Sequence, residues 1–161
     1  MIRSVEELVA EHPLLRGLPL DAAPLVAGCA RLKRFEPGQL LLKEGEAADT
    51  FYLVRRGTVR IEVGTPGRSP LVIETVGAGK VVGWSWLLPP LQWQFDARAA
   101  GPVATIAVDT GCLRAKAESD PAFGYELLKR LSSMLLDRLQ ATRFRLLDLY
   151  APPGTGDHGS R

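Results

Sequence analysis

The sequence predicts a mainly β fold with flanking helices: a jelly-roll barrel entered through N-terminal helices and followed by a long C-terminal helix. Three observations predict it. Turn signals recur at nearly regular intervals between Lys33 and Val108, at Glu36-Pro37-Gly38, Glu44-Gly45, Arg56-Gly57, Thr65-Pro66-Gly67 and Gly77-Ala78-Gly79. Short β-rich runs lie between and after them, at residues 50–55, 58–63, 71–76 and 103–108. Finally, residues 123–150 contain no proline, and their one glycine, Gly124, falls in the first turn of a helix.

Each block has its own local logic. Residues 1–32 read as a helical lead-in, opened by a capping box from Ser4 to Glu7 and punctuated by His12-Pro13, Gly17, Pro19 and Asp21. Residues 33–108 form the barrel and residues 109–150 the C-terminal helices. Asp109 or Thr110 can cap a short helix carrying Leu113 and Ala117. Asp120-Pro121 starts the long one, with an acid at the N-cap and proline at the first helical position. Residues 151–161 hold too little apolar surface to offset ordering entropy and read as a disordered tail.

The long helix carries two stripes. Leu128, Ser132, Leu135, Leu139, Thr142, Leu146 and Leu149 follow a 4-3-4-3 spacing, the seam of a coiled coil. Leu127, Leu131 and Met134 form a shorter stripe beside it. One can pack on the barrel while the other meets a second copy, so a homodimer is expected. The alternative buries both stripes within one domain.

Composition narrows the function classes. The chain has 161 residues, 46% hydrophobic and 24% charged, and a formal net charge of +2, enough for one domain with no strong pull toward nucleic acid or anionic lipid. No stretch is apolar enough to cross a bilayer, and the N-terminus lacks a signal pattern. Cys29 and Cys112 read as two separate thiols, which fits a cytoplasmic location. His12 precedes a proline and His158 lies in the tail, and neither cysteine has a partner at ligand spacing. No metal site and no nucleophilic pair is indicated, so the chain is not expected to be an enzyme.

Phe35-Glu-Pro-Gly-Gln-Leu-Leu-Leu-Lys-Glu-Gly-Glu-Ala-Ala-Asp49, with Phe51-Tyr-Leu-Val54 and Arg56-Gly-Thr-Val-Arg-Ile61, resembles the cyclic nucleotide-binding domain. This domain is shared by the bacterial catabolite activator and Fnr-type regulators, protein kinase A regulatory subunits and nucleotide-gated channels. The lead-in His12-Pro-Leu-Leu-Arg-Gly-Leu18 is similar to the family's opening, and the resemblance extends from about His12 to Leu149. It implies a double-stranded β-helix, a regulatory role and cAMP or cGMP as ligand. DNA-binding relatives continue into a helix-turn-helix, for which the residues after Tyr150 provide no counterpart, so nucleic acid is not an expected partner.

The resemblance also implies where the ligand should be held. In the family a short cassette begins with glycine, then a glutamate for the ribose hydroxyl, and later an arginine for the phosphate. A dry pocket needs such partners because an unpaired buried charge is very costly. Here the cassette runs from Val82 to Ala99. Gly83 keeps its place, Trp84 stands at the glutamate position, and Trp93 falls at about the arginine position, with Gln94 beside it as a residual donor. Losing two charged partners at roughly 1.5–3 kcal/mol each weakens binding by about two to four orders of magnitude. Binding of cAMP or cGMP is therefore expected to be weak or absent, the remaining alternative being that substituted contacts replace the lost anchors.

Trp84, Trp86 and Trp93 are all the tryptophans of the chain. With Ser85 and Gln94 they form either an aromatic pocket for a planar or apolar ligand or a closed plug that leaves an interaction scaffold for a partner protein. Arg98, the one arginine in the cassette, is a candidate anion contact. Its alternative is a strand residue paired with Asp96 two positions away. Thr142 aligns, by the resemblance, with a helix threonine that contacts the base near the dimer seam.

Overall fold

The computed structural model describes residues 2–151. Eight strands form two four-stranded antiparallel sheets. The strands are β1 (Ala30–Phe35), β2 (Leu40–Leu42), β3 (Thr50–Arg56), β4 (Val59–Val63), β5 (Leu71–Val76), β6 (Val81–Val82), β7 (Asp96–Ala99) and β8 (Val103–Asp109). One sheet has the order β1-β8-β3-β6 and the other β2-β7-β4-β5. The strand interchange between sheets is that of a jelly roll, and the core fills the space between their inner faces with Phe51, Leu53, Val59, Ile61, Val81, Ile106 and Val108. The expected strands at 50–55, 58–63, 71–76 and 103–108 all form, within a residue of their bounds. The lead-in is corrected at its end: β1 begins at Ala30, where alternation across the β8 pairing takes over from helix.

Helix α1 (Val5–Glu11) opens with the expected capping box: Ser4 Oγ accepts from the Glu7 amide and the Glu7 carboxylate accepts from the Ser4 amide. A single 3-10 turn, Pro13–Leu15, and helix α2 (Ala22–Ala27) complete the lead-in. Asp109, not Thr110, caps α3 (Thr110–Ser119) by accepting from the Cys112 amide at 2.7 Å. The Thr110 hydroxyl instead donates to the Ala48 carbonyl. Asp120 caps α4 (Pro121–Tyr150), accepting from the Phe123 amide. Gly57 turns β3 into β4 with φ +92°, and a Cβ there would lie 2.4 Å from the Pro102 carbonyl oxygen, so no other residue fits.

The two stripes of α4 separate as the spacing predicts. Phe123, Leu127 and Leu131 are buried on the domain, with Met134 packed beside them. Leu128, Leu135, Leu139, Leu146 and Leu149 are exposed by 46–78%. The alternative in which both stripes are buried is overturned. The helix is about 45 Å long at 1.5 Å per residue, and only its first half has a buried face.

The cysteines require a correction. Cys29 and Cys112 are not separate thiols: they form a disulfide between the α2–β1 junction and the first turn of α3, with Cα atoms 5.6 Å apart. Their spacing of 83 residues hid the contact, which the barrel closure creates. The expected cytoplasmic location therefore no longer has the cysteines behind it. Among the described residues, no helix is long and apolar enough to cross a membrane. The disordered tail expected at 151–161 lies, beyond Ala151, outside the described residues.

Candidate functional site

The cassette between β6 and β7, residues 83–95, is held at three places. At its start Gly83 adopts φ +103°, and a Cβ there would stand 2.7 Å from the Trp93 ring. Glycine lets that indole lie directly on the backbone, a packing reason for the residue independent of any ligand. In the middle, Arg114 of α3 donates to the Trp86 carbonyl at 2.7 Å, and the Trp86 ring stacks parallel on Phe51 with centroids 4.7 Å apart. At its end the cassette pairs with the loop after β2. The Ala48 amide donates to the Leu91 carbonyl, the Trp93 amide to Glu46, and the Gly45 amide to the Trp93 carbonyl.

Between this cassette, the β2-β7-β4-β5 sheet and α4 lies a cavity of about 320 Å³. Pairing aligns Ala97 of β7, Ile61 of β4 and Glu74 of β5 in one row across the sheet. Gly83, Trp84, Ser85, Trp93 and Gln94 form the cassette wall, and Leu135, Arg138, Leu139 and Thr142 the helix wall. Among the described residues, Arg138 is the one basic side chain of the lining. Its Nε donates to Glu74 Oε1 at 2.9 Å and its Nη2 to Oε2 at 2.5 Å, a bidentate pair. Its Nη1 donates to the Val81 carbonyl at 3.1 Å, and the guanidinium lies 5.3 Å from the Trp84 ring centroid. Arg138 and Glu74 are only 18% and 21% exposed. Every nitrogen of this guanidinium already donates to the protein.

The structure thus brings Gly83, Trp84, Ser85, Trp93, Gln94 and Thr142 together around one cavity and leaves two candidates outside it. Trp86 is a core side chain, 1% exposed, because its stack on Phe51 turns it into the barrel. Arg98 also lies outside the lining. Its Nε pairs with Glu62 at 3.2 Å and its Nη1 donates to the Gly38 carbonyl at 2.7 Å, which places it on the sheet face that carries Arg60 and Glu62. The expected partner Asp96 is engaged elsewhere, accepting from the Glu44 amide at 2.8 Å. Trp93 is 5% exposed and walls the cavity from beneath Gly83. Trp84 Nε1 is buried without an acceptor among the described residues. The Gln94 amide donates to the Gln92 carbonyl, and the Thr142 hydroxyl to the Arg138 carbonyl one turn back.

Sequence reasoning missed Glu74 and Arg138. Both left a signal. Glu74 interrupts the apolar run 71–76 two positions before the buried Val76, so alternation puts a carboxylate on the inner face of the sheet. Arg138 precedes Thr142 by four residues and so shares its helix face.

Comparison with known proteins agrees with this geometry. Residues 32–120, over half of the chain, match the sequence profile described as the cyclic nucleotide-binding domain. The chain belongs to the cyclic nucleotide-binding domain family. Human cGMP-dependent protein kinase 2 is 29% identical over 101 residues, which cover 62% of this chain and 12% of the kinase. The chain thus spans about an eighth of the length of the curated relatives it matches. A solved structure of a putative cyclic nucleotide-binding protein from Geobacter metallireducens superposes with a TM-score of 0.74 at 26% identity, covering 86% of this chain and 99% of the other. A cyclic nucleotide-binding domain from Methylobacillus flagellatus gives a TM-score of 0.75 at 20% identity, covering 93% and 84%.

Proposed function

We propose that this cyclic nucleotide-binding domain is a homodimeric regulatory sensor whose cavity takes a flat, largely apolar small molecule in place of cAMP or cGMP. One observation carries the reading. The only guanidinium in the cavity wall among the described residues, that of Arg138, is already bidentate on Glu74, and Trp84, Trp93, Leu135 and Leu139 are among the apolar side chains that line much of the rest. A cyclic phosphate entering this site would lose its water and find no free cation in the lining among the described residues. The volume of about 320 Å³ supports a small-molecule site over a closed, tryptophan-filled scaffold. Homodimerisation rests on the exposed 4-3 seam of α4, whose best geometric complement is another copy of itself.

Isothermal calorimetry with cAMP and cGMP tests the ligand reading. The expected result is no saturable heat below about millimolar nucleotide, the range that loss of two charged anchors produces. Saturation by cAMP or cGMP at micromolar concentration would overturn it.

A further inference from the structure

We infer that Glu74 is the specificity-determining residue of the cavity, an intramolecular anion that occupies the Arg138 guanidinium and makes the pocket select uncharged ligands against anionic ones. The inference rests on the reading of the cavity as a small-molecule site and adds the charge class of what enters it.

Three observations support the assignment. The β4–β5 register places Glu74 opposite Ile61, which in turn faces Ala97, so the carboxylate sits in the row of small and apolar side chains that meets the cavity. Both carboxylate oxygens are used by Arg138, and the third guanidinium nitrogen is held by the Val81 carbonyl, a backbone group that no ligand removes. The pair is about four-fifths buried, so solvent screens it poorly. An incoming anion therefore meets two penalties. It must compete with a tethered carboxylate for the one cation, and it must stand beside that carboxylate as a like charge in a site of low dielectric. A neutral molecule of the same shape meets neither. The pair has no net charge, and apart from Asp96, whose carboxylate accepts from the Glu44 amide, the rest of the lining is aromatic and aliphatic surface plus the Ser85, Gln94 and Thr142 dipoles.

The consequence is a selectivity that one substitution reverses. Glu74→Gln keeps the side-chain length and leaves Arg138 with one neutral acceptor, so the guanidinium becomes available to a ligand carboxylate or phosphate. Naphthoate and naphthalenemethanol differ in charge while matching in shape, and their affinities for the full chain are to be measured by calorimetry. The wild type is expected to bind the alcohol about tenfold or more tightly than the carboxylate. In Glu74→Gln the carboxylate is expected to gain about tenfold or more while the alcohol changes by less than about threefold. Equal affinities for the two probes in the wild type would overturn the inference without any variant. So would an unchanged ratio in a folded Glu74→Gln protein. Either result leaves the broader ligand reading standing so long as the alcohol binds and cAMP does not. Failure of both probes to bind, or micromolar cAMP binding by the wild type, sinks the broader reading together with this one.

Discussion

His12 shows how a residue chosen for packing acquires a titration. It sits at the junction of α1 and the 3-10 turn, 5% exposed, where its Nδ1 accepts from the Leu14 amide. Burial pushes its pKa from 6.5 down to about 4, an effect that nearby Arg16 reinforces and the Val54 and Lys80 carbonyls oppose. Arg3, Glu11, Arg55 and Arg56 share the surrounding cleft. Because the folded form holds the ring neutral, the contribution to stability is complete above pH 6.5 and is lost as pH falls through about 4. The full loss amounts to about 3 kcal/mol. Urea unfolding of the wild type and His12→Asn at a series of pH values checks it. Asparagine can accept from the same amide without titrating, so the variant's curve is expected to be flatter between pH 6.5 and about 4. Parallel curves for the two proteins would remove His12 as the cause.

At the scale of elements, α4 buries one face and exposes another. Its buried face, Phe123, Leu127 and Leu131, anchors the first half, and Arg130 adds donations from Nε and Nη2 to the Pro13 carbonyl at 3.2 and 2.8 Å. Beyond Arg138 and the cavity residues Leu139 and Thr142, the seam leucines Leu146 and Leu149 are exposed by 48% and 78%. Leu146 lies outside the cavity lining, so Leu146→Asp tests association separately from ligand binding. Sedimentation equilibrium is expected to show a wild-type dimer at tens of micromolar and a dissociation constant raised about a hundredfold or more in the variant. A wild-type protein that remains monomeric at high micromolar concentration would refute the dimer.

Elements of this kind were the most legible part of the sequence. The caps at Ser4 and Asp120, the strand runs and the division of α4 into two stripes all follow from local chemistry, which needs no knowledge of the fold. The cavity was legible only in part. Trp84, Trp93 and Thr142 fall where the cassette and helix patterns put them. The pairing of Glu74 with Arg138 spans 64 residues and arises only when β5 and α4 close over the cassette. Arg98 failed for a related reason. Strand alternation gives its face correctly, but not that Glu62 on the neighbouring strand, and not Asp96, supplies its partner. Trp86 points into the core because Phe51, far away in the chain, offers it a stacking surface.

The molecule as a whole is closed by a covalent link that neither sheet supplies. The Cys29–Cys112 disulfide ties the end of the lead-in to the helix that follows the last strand, so the barrel segment between them forms one loop. Constraining the unfolded chain in this way contributes about 2–4 kcal/mol. Reduction with dithiothreitol, or Cys112→Ser, is expected to lower the urea midpoint accordingly. Iodoacetamide applied to the urea-unfolded, unreduced protein should leave both cysteines unmodified. Full alkylation without reductant would show that the link is not made.

The different placements of the three indoles have an optical consequence. Trp86 is locked against Phe51, 1% exposed and apart from the cavity, so its environment is independent of what the cavity holds. Trp84 lies beneath the Arg138 guanidinium and Trp93 against Gly83, both on the cavity wall. A molecule entering the cavity is therefore expected to change the emission of Trp84 and Trp93 and to leave that of Trp86 unchanged, which makes Trp86 an internal standard.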